Sequence, residues 1–239
     1  MDLLFIAFIA LIGSFIQSAS GFGYAILCMA LGSLILPFRV VTIVEVITAF
    51  AMVLYISIKL YKHINFKLML FPLISSLAAS TLGVFTLMAS TETLMRRVLG
   101  VALIVLSIYF IFFSAKIRIK PTPINGLIAG AISGFFGGLF NIGGPPIVAY
   151  FLSVTDDKME YNATLQCYFA FTTVYIFFMH LFLGNVTGEV IKYSLVGLIG
   201  VGLGVGGGLN FFKKLSLNTI KKMVYSFMVI AGLYMLFTS

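Results

Sequence analysis

The chain has 239 residues, 61% hydrophobic and only 9% charged, a composition that excludes a soluble globular domain. Its apolar runs reach the roughly 20 residues needed to cross a bilayer, and its charged connections are too short to hold a separate soluble domain. The net charge of +8 does not point to nucleic acid, because the Lys and Arg residues sit in short loops between apolar runs, where they set topology.

The first apolar run, Leu3 to Leu36, opens with Asp2 and no basic residue, which argues against a cleaved signal peptide; Ser18-Ala-Ser20 is the one feature that mimics a cleavage site. As one helix it would measure ~50 Å against a hydrocarbon core of ~30 Å. It is interrupted at Ser18-Ala-Ser-Gly-Phe-Gly23, so a hairpin with two short arms is expected. Unbroken spans follow at about Val40–Leu60, Leu68–Ala89 and Val98–Ala115. The basic, Pro-rich stretch Lys116 to Pro123 reads as a linker between a first repeat, residues 1–115, and a second, residues 124–239. The run Ile124–Val154 is again too long for one crossing and is interrupted at Asn141-Ile-Gly-Gly-Pro-Pro146. Gly143 and Gly144 permit backbone angles that other residues avoid, and Pro145 and Pro146 cannot continue a helix but suit its first turn, so a new helix is expected to start at one of the two prolines. Spans at about Tyr161–Leu183, Val190–Phe212 and Met223–Phe237 complete the chain.

The halves resemble each other. A shift of 121 residues places Gly13 on Gly134, Ser20 on Asn141, Gly23 on Gly144, Glu45 on Gln166 and Gly83 on Gly204; past a short insertion, a shift of 125 places Arg96-Arg97 on Lys221-Lys222. Loop charge sets the topology. If each interrupted run crosses once, Lys and Arg divide almost evenly between the two sides. If both are hairpins, one side holds eleven (Lys59, Lys62, Lys67, Lys116, Arg118, Lys120, Lys158 and the four lysines from 213 to 222) and the other four (Arg39, Arg96, Arg97, Lys192). The second arrangement obeys the positive-inside rule. Each half then makes an odd number of crossings, and whether each hairpin re-enters or crosses twice stays open. The expected fold is an all-α polytopic membrane protein of two inverted repeats, each a broken helical hairpin plus three transmembrane helices. Such repeats with broken helices are a signature of secondary transporters, with the breaks meeting near the midplane.

Each break exposes a helix N-terminus, whose N–H groups and partial positive charge suit an anion. The candidate substrate-binding residues are therefore Gln17, Ser20, Gly21, Phe22, Gly23 and Tyr24 in the first break, and Asn141, Ile142, Gly143, Gly144, Pro145, Pro146 and Gln166 around the second. Ser18 and Thr164 are further polar neighbours. The same polar groups could instead satisfy freed backbone, and the Gly-Pro stretch could be a structural kink. Glu45 is the acid within an apolar run; it is either a proton-coupling group or an interfacial partner of Arg39. Gly200, Gly204 and Gly208, with Ser76, Ser80 and Gly83, read as close helix packing. Cys28 and Cys167 read as small core residues, and with the distant His63 and His180 they give no metal-ligand spacing; no metal and no cofactor is expected. No catalytic motif is present, so the chain reads as no enzyme. An anion channel and a non-transporting membrane scaffold subunit are the alternatives to a carrier.

Ala19-Ser-Gly-Phe-Gly-Tyr-Ala25 in the first half, with Gly-Gly-Leu-Phe-Asn-Ile-Gly-Gly-Pro-Pro146 in the second, resembles the sulfite exporter TauE/SafE family over essentially the whole chain. The resemblance implies a plasma-membrane carrier of sulfite, organosulfonates or related small anions, coupled to an ion gradient; Glu45 makes the proton a candidate for the coupling ion. Related sequences commonly carry a basic residue shortly after the Gly-Gly-Pro-Pro helix, before an Ala; here that position is Asn162, before Ala163.

Overall fold

The computed structural model describes residues 2–112, 119–211, 226, 229–230 and 232–237. Its elements are α1 (Asp2–Ser20), α2 (Tyr24–Gly32), α3 (Phe38–Lys59), a single 3₁₀ turn (Tyr61–His63), α4 (Phe66–Ala89), α5 (Glu92–Phe112), α6 (Pro123–Phe140), α7 (Gly144–Val154), α8 (Lys158–Phe182) and α9 (Gly188–Phe211). No strand occurs among the described residues. The helices α1, α3, α4, α6, α8 and α9 are long and apolar enough to cross a bilayer. Large apolar side chains such as Leu4, Phe8, Ile74, Leu82, Leu195, Ile199 and Leu203 point outward. In water such a surface would be an aggregation hazard, whereas in lipid it needs no cover. The protein is an all-α multi-pass membrane protein. Residues 232–237 of the last apolar run are helical; the rest of Met223–Phe237 lies largely outside the described residues, as do Lys116, Arg118 and the four lysines from 213 to 222.

Both interrupted runs break where the Gly and Pro residues fall, but the expected short arms are unequal. The 19 residues of α1 and the 18 of α6 correspond to ~28 and ~27 Å, close to a full crossing. The 9 residues of α2 and 11 of α7 reach only ~14 and ~17 Å. The unbroken helices begin earlier than hydropathy alone indicates, because charged first turns stay helical: Arg96 and Arg97 lie inside α5, and Lys158 and Glu160 inside α8.

The chain divides into two compact units, each described by itself. One contains the described residues of Met1–Glu45, Ala89–Ile117 and Gly188–Ser239, the other those of Val46–Met88 and Arg118–Thr187. In the first, α9 lays Gly200, Gly204 and Gly208 against Ala7, Leu11 and Phe15 of α1. The numbers rise together on both helices, so they run parallel. A methyl group on Gly204 would meet Ser14 Oγ and the Leu11 carbonyl oxygen; only hydrogen fits, and the backbones approach accordingly. In the second unit α6 does the same against α4, with Gly130, Gly134 and Gly138 on Pro72, Ser76 and Ser80, again parallel. Gly83 faces Phe135, and Gly204 faces Ser14: both members of the contact shift by the same 121 residues. The small-residue stripes are helix packing, as their spacing indicates.

Candidate functional site

The first break belongs to the first unit. Its turn is made by two left-handed glycines, Gly21 (φ 91°) and Gly23 (φ 116°), a conformation that costs other residues about 1–2 kcal/mol. The Gly21 N–H closes α1 on the Gln17 carbonyl at 2.7 Å. The Gln17 side chain then reaches across the break: its Oε1 accepts the Tyr24 N–H at 3.1 Å, buried. A helix start leaves its early N–H groups without an acceptor in the same helix. Gln17 satisfies that of Tyr24, and those of Ala25 and Ile26 follow in the same turn. Tyr24 packs its ring on the space beside Gly13, and Phe22 is buried. Ser20 ends α1; its side chain lies outside the described residues.

The second break belongs to the second unit and is built differently. One residue, Asn141 (φ 52°), takes the left-handed position, and its N–H closes α6 on the Gly137 carbonyl at 2.7 Å. Gly143 has an ordinary φ of −77°; it is glycine for want of space, since a methyl group there would meet the Ser133 carbonyl oxygen and, at 2.9 Å, Ser133 Oγ. The new helix starts at Gly144, one residue before the expected prolines, because Pro145 and Pro146 then occupy positions where no N–H is needed. Those prolines also thin out the donors. Of the early N–H groups that a helix leaves without an internal acceptor, Gly143 and Gly144 keep theirs. Helix α7 folds back along α6, bringing Tyr150 Oη to within 3.1 Å of where a methyl group on Gly126 would sit. Ile142 and Pro145 are buried.

Two residues that the sequence did not single out hold this break. Ser133 Oγ donates to the Gly143 carbonyl at 2.6 Å, and Tyr168 Oη donates to Ser133 Oγ at 3.0 Å. Both residues are buried. Ser133 carried only the signal of a hydroxyl in an apolar helix, and Tyr168 stood in an aromatic run that looks like core. On α8, Gln166 and Asn162 are both buried, and Gln166 Nε2 donates to Asn162 Oδ1 at 3.2 Å. Asn162, the residue before Ala163, is thus part of a neutral amide pair. At the start of α8, Thr164 Oγ1 accepts the Asn65 N–H at 2.9 Å and Glu160 Oε1 accepts from Asn65 Nδ2 at 3.0 Å.

Glu45 is more buried than its closeness to the start of its run suggests. Helix α3 begins at Phe38, so Glu45 lies ~10 Å along it, and it is 2% exposed. Arg39, near the start of the same helix, donates to the Ser90 carbonyl at 2.7 Å, beyond the C-terminus of α4. Among the described residues there is no group of three His, Cys, Asp or Glu side chains that could hold a metal.

The two broken helices thus stand beside glycine-lined helix packing and a buried carboxylate. The model of the sulfite exporter TauE/SafE family matches residues 5–235. The chain belongs to that family. No curated protein and no solved structure matches it. As a TauE/SafE member it is a membrane transporter of sulfite or related anions. Both family-like motifs fall on the two breaks, Ala19–Ala25 at the first and Gly137–Pro146 at the second.

Proposed function

We propose that this TauE/SafE protein is a secondary transporter of the plasma membrane that carries sulfite, an organosulfonate or a related small oxyanion, with the proton as coupling ion. The observation that carries this reading is the second break, where a buried helix start offers the N–H groups of Gly143 and Gly144 within a run of sequence, Ile124 to Val154, that holds no lysine or arginine. A helix N-terminus acts as roughly half a positive charge. It can hold an oxyanion reversibly, as a carrier requires, where a buried lysine would bind it more firmly. The first break supplies the same kind of element in its own unit, with the Ala25 and Ile26 N–H groups beyond the one that Gln17 caps. Glu45, a buried carboxylate in a membrane helix, is the proton-coupling group of this reading.

The test is sulfite uptake into proteoliposomes. Saturable uptake that accelerates when unlabelled sulfite is placed on the opposite side supports a carrier; flux that rises linearly with concentration and shows no such exchange would assign a channel. Loss of sulfite binding in Asn141→Ala or Gly144→Ala, with the protein still monodisperse, supports the break as the binding element.

A further inference from the structure

The Gly143–Gly144 peptide is held from one side by a directional pair of hydrogen bonds. The Gly143 carbonyl can only accept, so the single Ser133 hydroxyl proton goes to it, at 2.6 Å. Ser133 Oγ therefore has no second proton to give, and Tyr168 must donate to it, at 3.0 Å. The Tyr168 ring is itself fixed, 1% exposed and edge-on to Phe151 of α7 with ring centroids 5.9 Å apart. A peptide unit is planar and trans, so its N–H points opposite to its C=O. Anchoring the Gly143 carbonyl on Ser133 therefore aims the Gly144 N–H away from Ser133. Hydrogen bonds in series polarise one another, which makes that N–H a stronger donor.

We propose that Ser133 and Tyr168 are positioning residues for anion transport: Tyr168, through Ser133, sets the direction and donor strength of the Gly144 N–H. This rests on the reading of the second break as the anion-binding element, which the family's anionic cargo supports independently of the break's geometry. Neither residue touches the anion. Their effect passes through one peptide plane, so it is separable from general stability.

The experiment uses the full chain in detergent, with sulfite under anaerobic conditions as the probe, and reads affinity by calorimetry, thermal unfolding, and the ¹⁵N–¹H signal of Gly144 in glycine-labelled protein. Ser133→Ala should weaken sulfite binding about tenfold, the scale of one lost neutral hydrogen bond. Tyr168→Phe keeps the ring and its contact with Phe151; it should weaken binding by a smaller factor and shift the Gly144 amide proton upfield before any sulfite is added. Thr172→Ala, on the same helix and bonded to the Tyr168 carbonyl at 3.1 Å, is the packing control: it should lower the unfolding temperature and leave sulfite affinity and the Gly144 signal in place. Native affinity and an unmoved Gly144 signal in both Ser133→Ala and Tyr168→Phe, with binding lost in Asn141→Ala, would overturn the positioning role and leave the site standing. Native affinity in Asn141→Ala and Gly144→Ala as well would overturn the site itself, and the positioning role with it.

Discussion

Asn141 and Gly143 sit two positions apart and are constrained for opposite reasons, which makes their substitutions informative. Asn141 is left-handed, a conformation that asparagine tolerates and alanine does not, so Asn141→Ala should cost about 1 kcal/mol of stability while Asn141→Gly is nearly neutral. Thermal unfolding of the two variants checks this; equal losses would mean that the side chain, not the backbone angle, is what matters. The sequence aligned Gly23 with Gly144 and so suggested one shared backbone geometry. Gly23 is left-handed and Gly144 is helical, so the left-handed position of the second break is Asn141 instead. Local angles could not be read because Gly permits many and demands none. At Glu45, a pH gradient should stop driving uptake in Glu45→Gln while sulfite binding stays near native, as expected of a buried carboxylate that carries the coupling proton. Uptake by Glu45→Gln that still follows the pH gradient would assign the residue to structure.

Among the elements, the stripes on α9 and α4 were legible because four-residue spacing of small residues has one physical use in a membrane helix, close approach of a neighbour. Which neighbour was not legible: the sequence orders α9 with the second half, and it packs on α1 of the first. Gly204→Ala and Gly83→Ala both place a methyl group against a carbonyl or hydroxyl oxygen with no room to yield, and should each cost roughly 1–3 kcal/mol. Gly202→Ala has nothing within 4 Å and should be silent in yield and unfolding temperature. At the start of α8, the Glu160 and Met159 N–H groups bond the Asp157 carboxylate and hold its pKa below the ordinary value. A folded-state pKa that is lowered contributes stability above the unfolded value, and that contribution is lost as pH falls through the folded one. Between pH 5 and pH 3, Asp157→Asn should therefore lose less unfolding temperature than the native chain.

For the whole molecule, the unequal arms leave the loop-charge argument intact, since a hairpin returns its chain to the starting side whatever its arm lengths. Asn65, between Lys62 and Lys67, bonds both Glu160 and Thr164. Lys62 and Lys158 therefore belong to one face, as paired hairpins require; single crossings would separate them. Impermeant thiol labelling of cysteines introduced at Lys62 and Lys158 should find both accessible from the cytoplasm, against a low background because Cys28 and Cys167 are buried. Opposite accessibility would refute the hairpin at the second break. That the chain is all-α and passes the membrane several times was legible because long apolar runs respond to the bilayer directly. The hydrogen bonds that fix the second break were not, because a serine and a tyrosine in apolar helices look alike whether they hold a peptide or fill a core.

The parallel pairing of α1 with α9 also bears on how the protein is made. Helix α1 leaves the ribosome well before its glycine-matched partner, which follows ~170 residues later, on the order of ten to thirty seconds at ordinary translation speed. Through that interval the α1 face carrying Ala7, Leu11 and Ser14 has only lipid or the insertion machinery against it. The helix therefore enters the membrane with α2 beside it and acquires its glycine-matched neighbour α9 only much later. A nascent chain halted before α9 should accordingly hold α1 loosely, and insertion of α9 should be the step that locks it.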